Sequence, residues 1–151
     1  MATYYPPAAF YFRVEFGLDG IRDNDSRFQE VSGLSSLGEV EEIREGGENR
    51  FIHRLPKAVQ HSNLILKRGL ISDSKIIAWI NDILGGGLSV PIKPVEIIVT
   101  LLNEQNEPAI SWKVEKAFPV KFVVGSFKAN SNEVAIESIE FAYSQLKREN
   151  T

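Results

Sequence analysis

The sequence predicts a mainly β protein carrying one clear α-helix. Three observations lead there. Short runs that alternate apolar and polar side chains recur along the chain, the signature of half-buried strands. The stretch between Ser72 and Gly85 spaces its apolar residues as a helix does and carries cap residues at both ends. Clusters of Gly, Pro, Asn and Asp separate these segments and supply turn chemistry.

The first strand is expected over residues 9–18, where Phe10, Phe12, Val14 and Phe16 alternate with Tyr11, Arg13 and Glu15. Pro6 and Pro7 favour an extended lead-in. Residues 17–26 are turn-rich and read as a loop. A second strand is expected over residues 28–33 (FQEVSG), and a short one over residues 62–68 (SNLILKR). Ser72 and Asp73 are N-cap types, followed by Ile76, Ile77, Ile80, Ile83 and Leu84 on one helical face with Trp79 beside them. The glycines at residues 85–87 should stop this helix of about three turns. Residues 95–102 (VEIIVTLL) and 109–114 (AISWKV), with a turn at residues 103–108, predict a hairpin. Residues 118–124 make another extended run. Residues 133–146 fit a helix through Ile136, Ile139, Tyr143 and Leu146. They fit equally a strand whose phase slips at Glu137-Ser138, as a bulge would cause. The charged tail, residues 147–151, is expected to fray.

Composition narrows the function classes. The chain has 151 residues, which sets an expectation of one domain spanning residues 1–151. A hydrophobic share of 43% with 25% charged residues is ordinary globular composition. The net charge of −3 gives no general drive toward nucleic acid or anionic lipid. The absence of cysteine excludes disulfides, thiolate catalysis and Cys-based zinc sites. No apolar run approaches the ~18–20 residues that span a bilayer, so no membrane insertion is expected. The N-terminal MATYYPPAAFYF lacks the basic and apolar regions of a secretion signal.

Catalytic constellations are missing from the pattern. The glycine triplet at residues 85–87 follows a helix, whereas a phosphate cradle needs glycines at a helix N-terminus. The GLSSLG run at residues 33–38 misplaces the second glycine of a nucleophile elbow. His53 and His61 have no zinc-motif spacing. A glycosidase would need two carboxylates across a cleft, and the acidic cluster here reads as a solvated face. No enzyme activity, cofactor or metal is therefore expected.

Residues 37–55 are the unusual segment. Glu39, Glu41, Ile43 and Glu45 share one parity, with Val40, Glu42 and Arg44 on the other; GGEN at residues 46–49 turns the chain, and residues 50–55 (RFIHRL) return to Pro56. Neither face can cover a core, so the segment reads as a hairpin arm that sits in water or pairs with another chain. Its first half is acidic and its continuation basic. Copies could therefore meet head to tail through Glu39, Glu41, Glu42, Arg44, Glu45, Glu48, Arg50, His53 and Arg54. Charge pairing within the arm, such as Glu45 with Arg50, is the alternative.

Six segments then occur in a familiar order: FQEVSGL (residues 28–34), EIREGGEN (42–49), LKRGL (66–70) before the helix with Trp79, the strand with Ser111-Trp112, AFPVK (117–121) and NEVAIESIEF (132–141). Together they resemble the tail-tube family of contractile phage tails and phage-tail-like contractile injection systems, over residues 5–146. The resemblance implies a β-sandwich or partly rolled β-barrel with one flanking helix and a long protruding hairpin. It implies a homo-hexameric ring whose subunits give strands to a continuous channel wall, and a strand rather than a helix over residues 133–146. The matching hairpin in the family stacks one ring on the next. The implied partners are copies of the chain, an adjacent tube ring, baseplate hub proteins, the surrounding sheath, and a payload or genome in the lumen. Assembly would take place in the cytoplasm before the particle is completed or released.

Within that family, REGGENRFIHRLP, LKRGL and the YYPPAAFYF opening resemble the tube-initiator paralogue at the baseplate more than the main repeating subunit. Glu96, Thr100, Ser111 and Lys113, polar positions on strands opposite apolar ones, are candidates to face the lumen. A competing reading is a monomeric sandwich whose aromatic strand, residues 10–16, lines a ligand cavity with Trp112.

Overall fold

The computed structural model describes residues 12–18, 26–43, 53–86, 91–125 and 135–150. Its elements are β1 (Phe12–Phe16), β2 (Arg27–Phe28), β3 (Glu30–Ser32), β4 (Val40–Ile43), β5 (His53–Pro56), β6 (Leu64–Gly69), α1 (Lys75–Gly86), β7 (Val95–Leu102), β8 (Pro108–Val124), β9 (Ile136–Ala142) and β10 (Gln145–Asn150). All pairings are antiparallel. A first sheet runs β2-β1-β7-β8-β10 and a second runs β3-β6-β9-β8, while β4 and β5 form a ribbon of their own.

The 17-residue β8 belongs to both sheets: its first half pairs with β7 and β10, its second half with β9. The change of sheet coincides with Lys116 at φ 57°, and register shifts fall between Val95 and Ile97 on β7 and between Pro119 and Lys121 on β8. Bulges of this kind bend a strand and raise its twist. Pro119 has no amide to donate, which suits an irregular position in a ladder. The residue pairs therefore describe one strand where the sequence suggested two, at residues 109–114 and 118–124.

The bend lets both sheets close on one core. Val14, Ile97, Val99 and Val114 enter it from the first sheet, Leu64, Leu66, Ile139 and Phe141 from the second, and Ile76 and Ile80 from α1; all are fully buried. Phe141 sits at the junction, its ring 5.8 Å from Phe16 and stacked on Trp79 at 6.3 Å. Burying such a side chain removes apolar area from water at roughly 25 cal/mol per Å². This is the rolled sandwich with one flanking helix that the family resemblance implied.

Several local expectations need correction. The run at residues 28–33 is broken at Gln29: Phe28 pairs with β1, whereas β3 pairs with β6, so this short segment crosses from one sheet to the other. Gln29 N–H donates to Lys67 O at 2.9 Å at the crossing. The supposed phase slip at Glu137-Ser138 does not exist. Glu137, Ile139 and Phe141 all point inward in strict alternation, and the misleading residue is a buried glutamate on core parity. Residues 133–134 lie outside the described residues. The interruption comes later, at residues 143–144, after which β10 continues along β8. Residues 147–150 are thus strand rather than frayed tail, because β8 offers them a free edge.

The helix cap is Ser74, whose Oγ accepts the Ile77 N–H at 3.2 Å, rather than Ser72 or Asp73. Gly85 and Gly86 are its last residues. Gly85 has no positive φ and open space where a Cβ would stand, so it is not a left-handed stop. Gly87 and residues 9–11 lie outside the described residues. Glycine is required instead at Gly33, where φ is 87° and a Cβ would fall 1.8 Å from Asn63 O.

Candidate assembly surfaces

The arm is built from a rigid root and an exposed shaft. At the root, Leu37 and Gln60 exchange backbone hydrogen bonds of 2.6 and 2.8 Å, and Lys57 N–H donates to Glu39 O at 2.8 Å. Pairing therefore extends beyond Pro56, where the sequence appeared to end it; Pro56 itself stands opposite Val40 in β5. The Tyr143 hydroxyl donates to Gly33 O at 2.7 Å, and the His61 ring lies over Tyr143 at 4.9 Å, its Nδ1–H donating to Ser35 O at 3.0 Å. Burial pushes the Tyr143 phenol above its ordinary value of 10.0. A broad depression of about 730 Å³ beside this root is lined by Ser36, Val59, His61 and residues 144–147.

The shaft is the β4–β5 ribbon. β4 and β5 pack substantially only against each other among the described elements. Leu37, Val40, Leu55 and Val59 are 59%, 54%, 46% and 57% exposed. Glu41, Glu42 and Arg54 are exposed too, and Glu39 is half-buried. One of the charges is paired within the arm: Arg54 Nη2 lies 3.6 Å from Glu42 Oε1, and the two residues stand opposite each other. His53 opposes Ile43 in the ladder. Arg44, Glu45, Glu48 and Arg50, with the predicted turn, lie outside the described residues, as does the Glu45–Arg50 alternative.

The second surface is the outer face of the first sheet. Residues directly opposite in antiparallel strands share a face. Val14, Val99, Ile97 and Val114 occupy the core face. Arg13, Glu15, Glu96, Ile98, Thr100, Ser111, Lys113, Lys147 and Glu149 occupy the other. All four residues suggested for a lumen lie on this one face. Only two of them reach solvent well: Glu96 is exposed and Lys113 half-buried, while Thr100 and Ser111 are 4% and 8% exposed between longer neighbours. Their alternation in sequence marked the face correctly but not the shielding by adjacent strands. Lys113 Nζ bridges Glu96 at 3.5 Å and Glu115 at 3.6 Å. The Glu96 carboxylate, then that of Glu115, holds its ammonium above the ordinary lysine range.

The described part of the aromatic strand packs into the core instead of lining a cavity with Trp112; Phe10 and Tyr11 lie outside the described residues. Phe16 is buried, while Phe12 and Trp112 pack against the same core cluster. Among the described residues no group of three or more His, Cys, Asp or Glu could hold a metal, and no helix is long and apolar enough to cross a membrane. Sequence reasoning missed one feature, a buried ion pair between Arg68 and Glu137 at 2.5 Å, with Arg68 Nη2 donating to Ser74 Oγ at 3.0 Å and its guanidinium 4.7 Å over the Phe28 ring. The signal available was the glutamate on the apolar parity of residues 135–141.

The sequence profile of the T4-like virus tail tube protein gp19 family matches residues 8–147. The chain belongs to that family. It is a tail tube protein of the contractile-system type. Among solved structures it is similar to a chain in the sixfold-symmetrised baseplate of the anti-feeding prophage, with 29% identity, a TM-score of 0.74, and 99% and 98% of the two chains covered. It is similar to a chain in the extended sheath–tube complex of the PVC extracellular contractile injection system, with 27% identity, a TM-score of 0.76, and 97% and 93% covered. A chain in the anti-feeding prophage tube-terminating cap gives 28%, 0.76, and 100% and 95%. Hcp1 from Salmonella typhimurium, 14% identical with a TM-score of 0.56 over 94% and 87% of the chains, shares the fold. No curated protein matches the sequence.

Proposed function

We propose that the chain forms a homo-hexameric ring that continues the delivery channel of a contractile injection system or phage tail, as the tube-initiator ring at the baseplate. The role is structural and non-enzymatic, and residues 1–151 act as one tube domain. The observation that carries this reading is the arm: four large apolar side chains and a set of carboxylates are held out by a fixed root, with no core beneath them among the described elements. Such a ribbon is completed by another molecule. The arm residues from Glu39 to Arg54 contact the next ring or the baseplate hub. The charged sheet face, including Glu96, Lys113 and the more shielded Thr100 and Ser111, lines the lumen. The net charge of −3 suits a wall that does not retain a polyanion.

The initiator assignment is supported by the arm wording and by the likeness to a baseplate chain. A main repeating subunit is the second reading, favoured by the likeness to a sheath–tube chain. Assembly begins in the cytoplasm, with sheath, hub and payload as further partners. Cryo-electron microscopy of the native particle tests both readings. The initiator appears as one sixfold layer at the baseplate; a main subunit repeats along the axis; a chain found outside the tube overturns the proposal. Replacing Glu39, Glu41, Glu42 and Glu45 together by Lys should abolish ring stacking and leave the fold intact.

A further inference from the structure

The charged face of the first sheet ends at two edges whose charges complement each other. Arg27, Arg13, Thr100, Ser111 and Glu149 stand opposite one another in successive strands, so one row runs from two cations to a carboxylate. The row beside it runs Glu15, Ile98, Lys113, Lys147, with the signs reversed. Arg27, Lys147 and Glu149 are exposed and have no ion-pair partner among the described residues.

The cationic end also holds an unfilled acceptor position. A depression of about 210 Å³ there is lined by Arg13, Ser26, Arg27, Leu102 and Asn106. Arg13 Nε is buried and makes no hydrogen bond; Glu15 Oε1 lies 3.4 Å away, outside hydrogen-bonding geometry. The Arg13 side chain as a whole is 41% exposed and ion-paired with Glu15, so this shielded N–H is open to a further acceptor, for which a carboxylate is the strongest partner.

We infer that, in the ring proposed above, the β10 edge of one copy lies beside the β1–β2 edge of the next with these rows continuous. Glu149 of one copy enters the Arg13–Arg27 depression of its neighbour, and Lys147 lies against the neighbour's Glu15. The contact is head to tail, the type that closes into a ring. The sign reversal also fixes register. A slip of two residues, about 6.7 Å, brings Lys147 against Arg27 in one direction and Glu149 against Glu15 in the other. A slip of one residue turns the charged face toward the core side. The two rows therefore disfavour each neighbouring register by like charge or by face.

The chain has no cysteine, so a cross-link reports without background. Arg27→Cys and Glu149→Cys together, in particles co-expressed with their baseplate and sheath proteins and treated with a short bis-maleimide, should give a ladder of covalent oligomers on a denaturing gel; either substitution alone should not. Lys147→Glu should lower ring yield on the order of tenfold, and adding Glu15→Lys should recover most of it, as coupled charge pairs do. Unchanged circular dichroism of each variant separates assembly from folding. Rings that form without a ladder and without rescue overturn this register and leave the ring itself standing. A wild-type chain that forms no ring in the particle overturns both.

Discussion

The arm and the β6–β9 pair are both antiparallel ribbons with a charged pair across them, yet they do opposite things. In β6–β9, Leu64, Leu66, Ile139 and Phe141 are fully buried, and Arg68 and Glu137 are 2% and 1% exposed. In the arm, the apolar residues are about half exposed, and the Arg54 and Glu42 side chains are 68% and 50% exposed. The difference lies in what sits against the ribbon rather than in the ladder. The central pair has a second sheet and α1 over it, so its charges must find each other. Among the described elements none is packed over the arm, so its exposed charges cost little and stabilise little.

The largest effect should come from opening the central pair. Glu137→Ala takes the carboxylate partner away from a buried guanidinium, and should cost about 3–5 kcal/mol in urea unfolding. Arg68→Met combined with Glu137→Leu should recover most of that, since an apolar pair avoids the desolvation cost. A loss below 1 kcal/mol for the single change would dissolve the contrast drawn here. Phe141→Ala, which empties the contact between Phe16 and Trp79, should cost ~3–5 kcal/mol. Ser74→Ala removes a helix cap and one Arg68 partner, for about 1 kcal/mol in the same measurement. Arg54→Ala on the arm should shift unfolding by less than about 1 kcal/mol; a larger loss would mean that the arm packs on its own body.

The smallest effect is a pH dependence at the arm root. Burial favours the neutral Tyr143 phenol, so the folded chain holds this proton where the unfolded chain releases it. Its contribution is constant at neutral pH and is lost as pH rises past 10.0. Ultraviolet titration should find one late-ionising tyrosine that Tyr143→Phe removes.

Much of this was legible beforehand because strand and helix periods survive in the local sequence. Residues 95–102 matched β7 end to end, and Ile76, Ile80 and Ile83 of the expected helical face are buried while Leu84 is exposed, since each element is set by its own period. The arm was legible for the converse reason: residues 37–55 alternate without an apolar face. Glu137 misled because a buried charge is indistinguishable from a surface one until its partner, 69 positions away, is in place. The break at Gln29 and the fusion of two runs into β8 were hidden because sheet membership depends on which neighbours arrive. The shielding of Thr100 and Ser111 was hidden for the same reason.

The sequence by itself determined most of the strands, the amphipathic helix before Gly85, the polar arm and the alternating charges that mark the two faces of the first sheet. Those are properties of period and side-chain type, and they need no partner to be read. Tertiary structure alone decided that β8 serves two sheets, that residues 145–150 are a paired edge rather than a tail, and that Arg13, Arg27 and Glu149 fall into one row. Register is a relation between distant segments, fixed only when the core closes and every strand has settled against its neighbours.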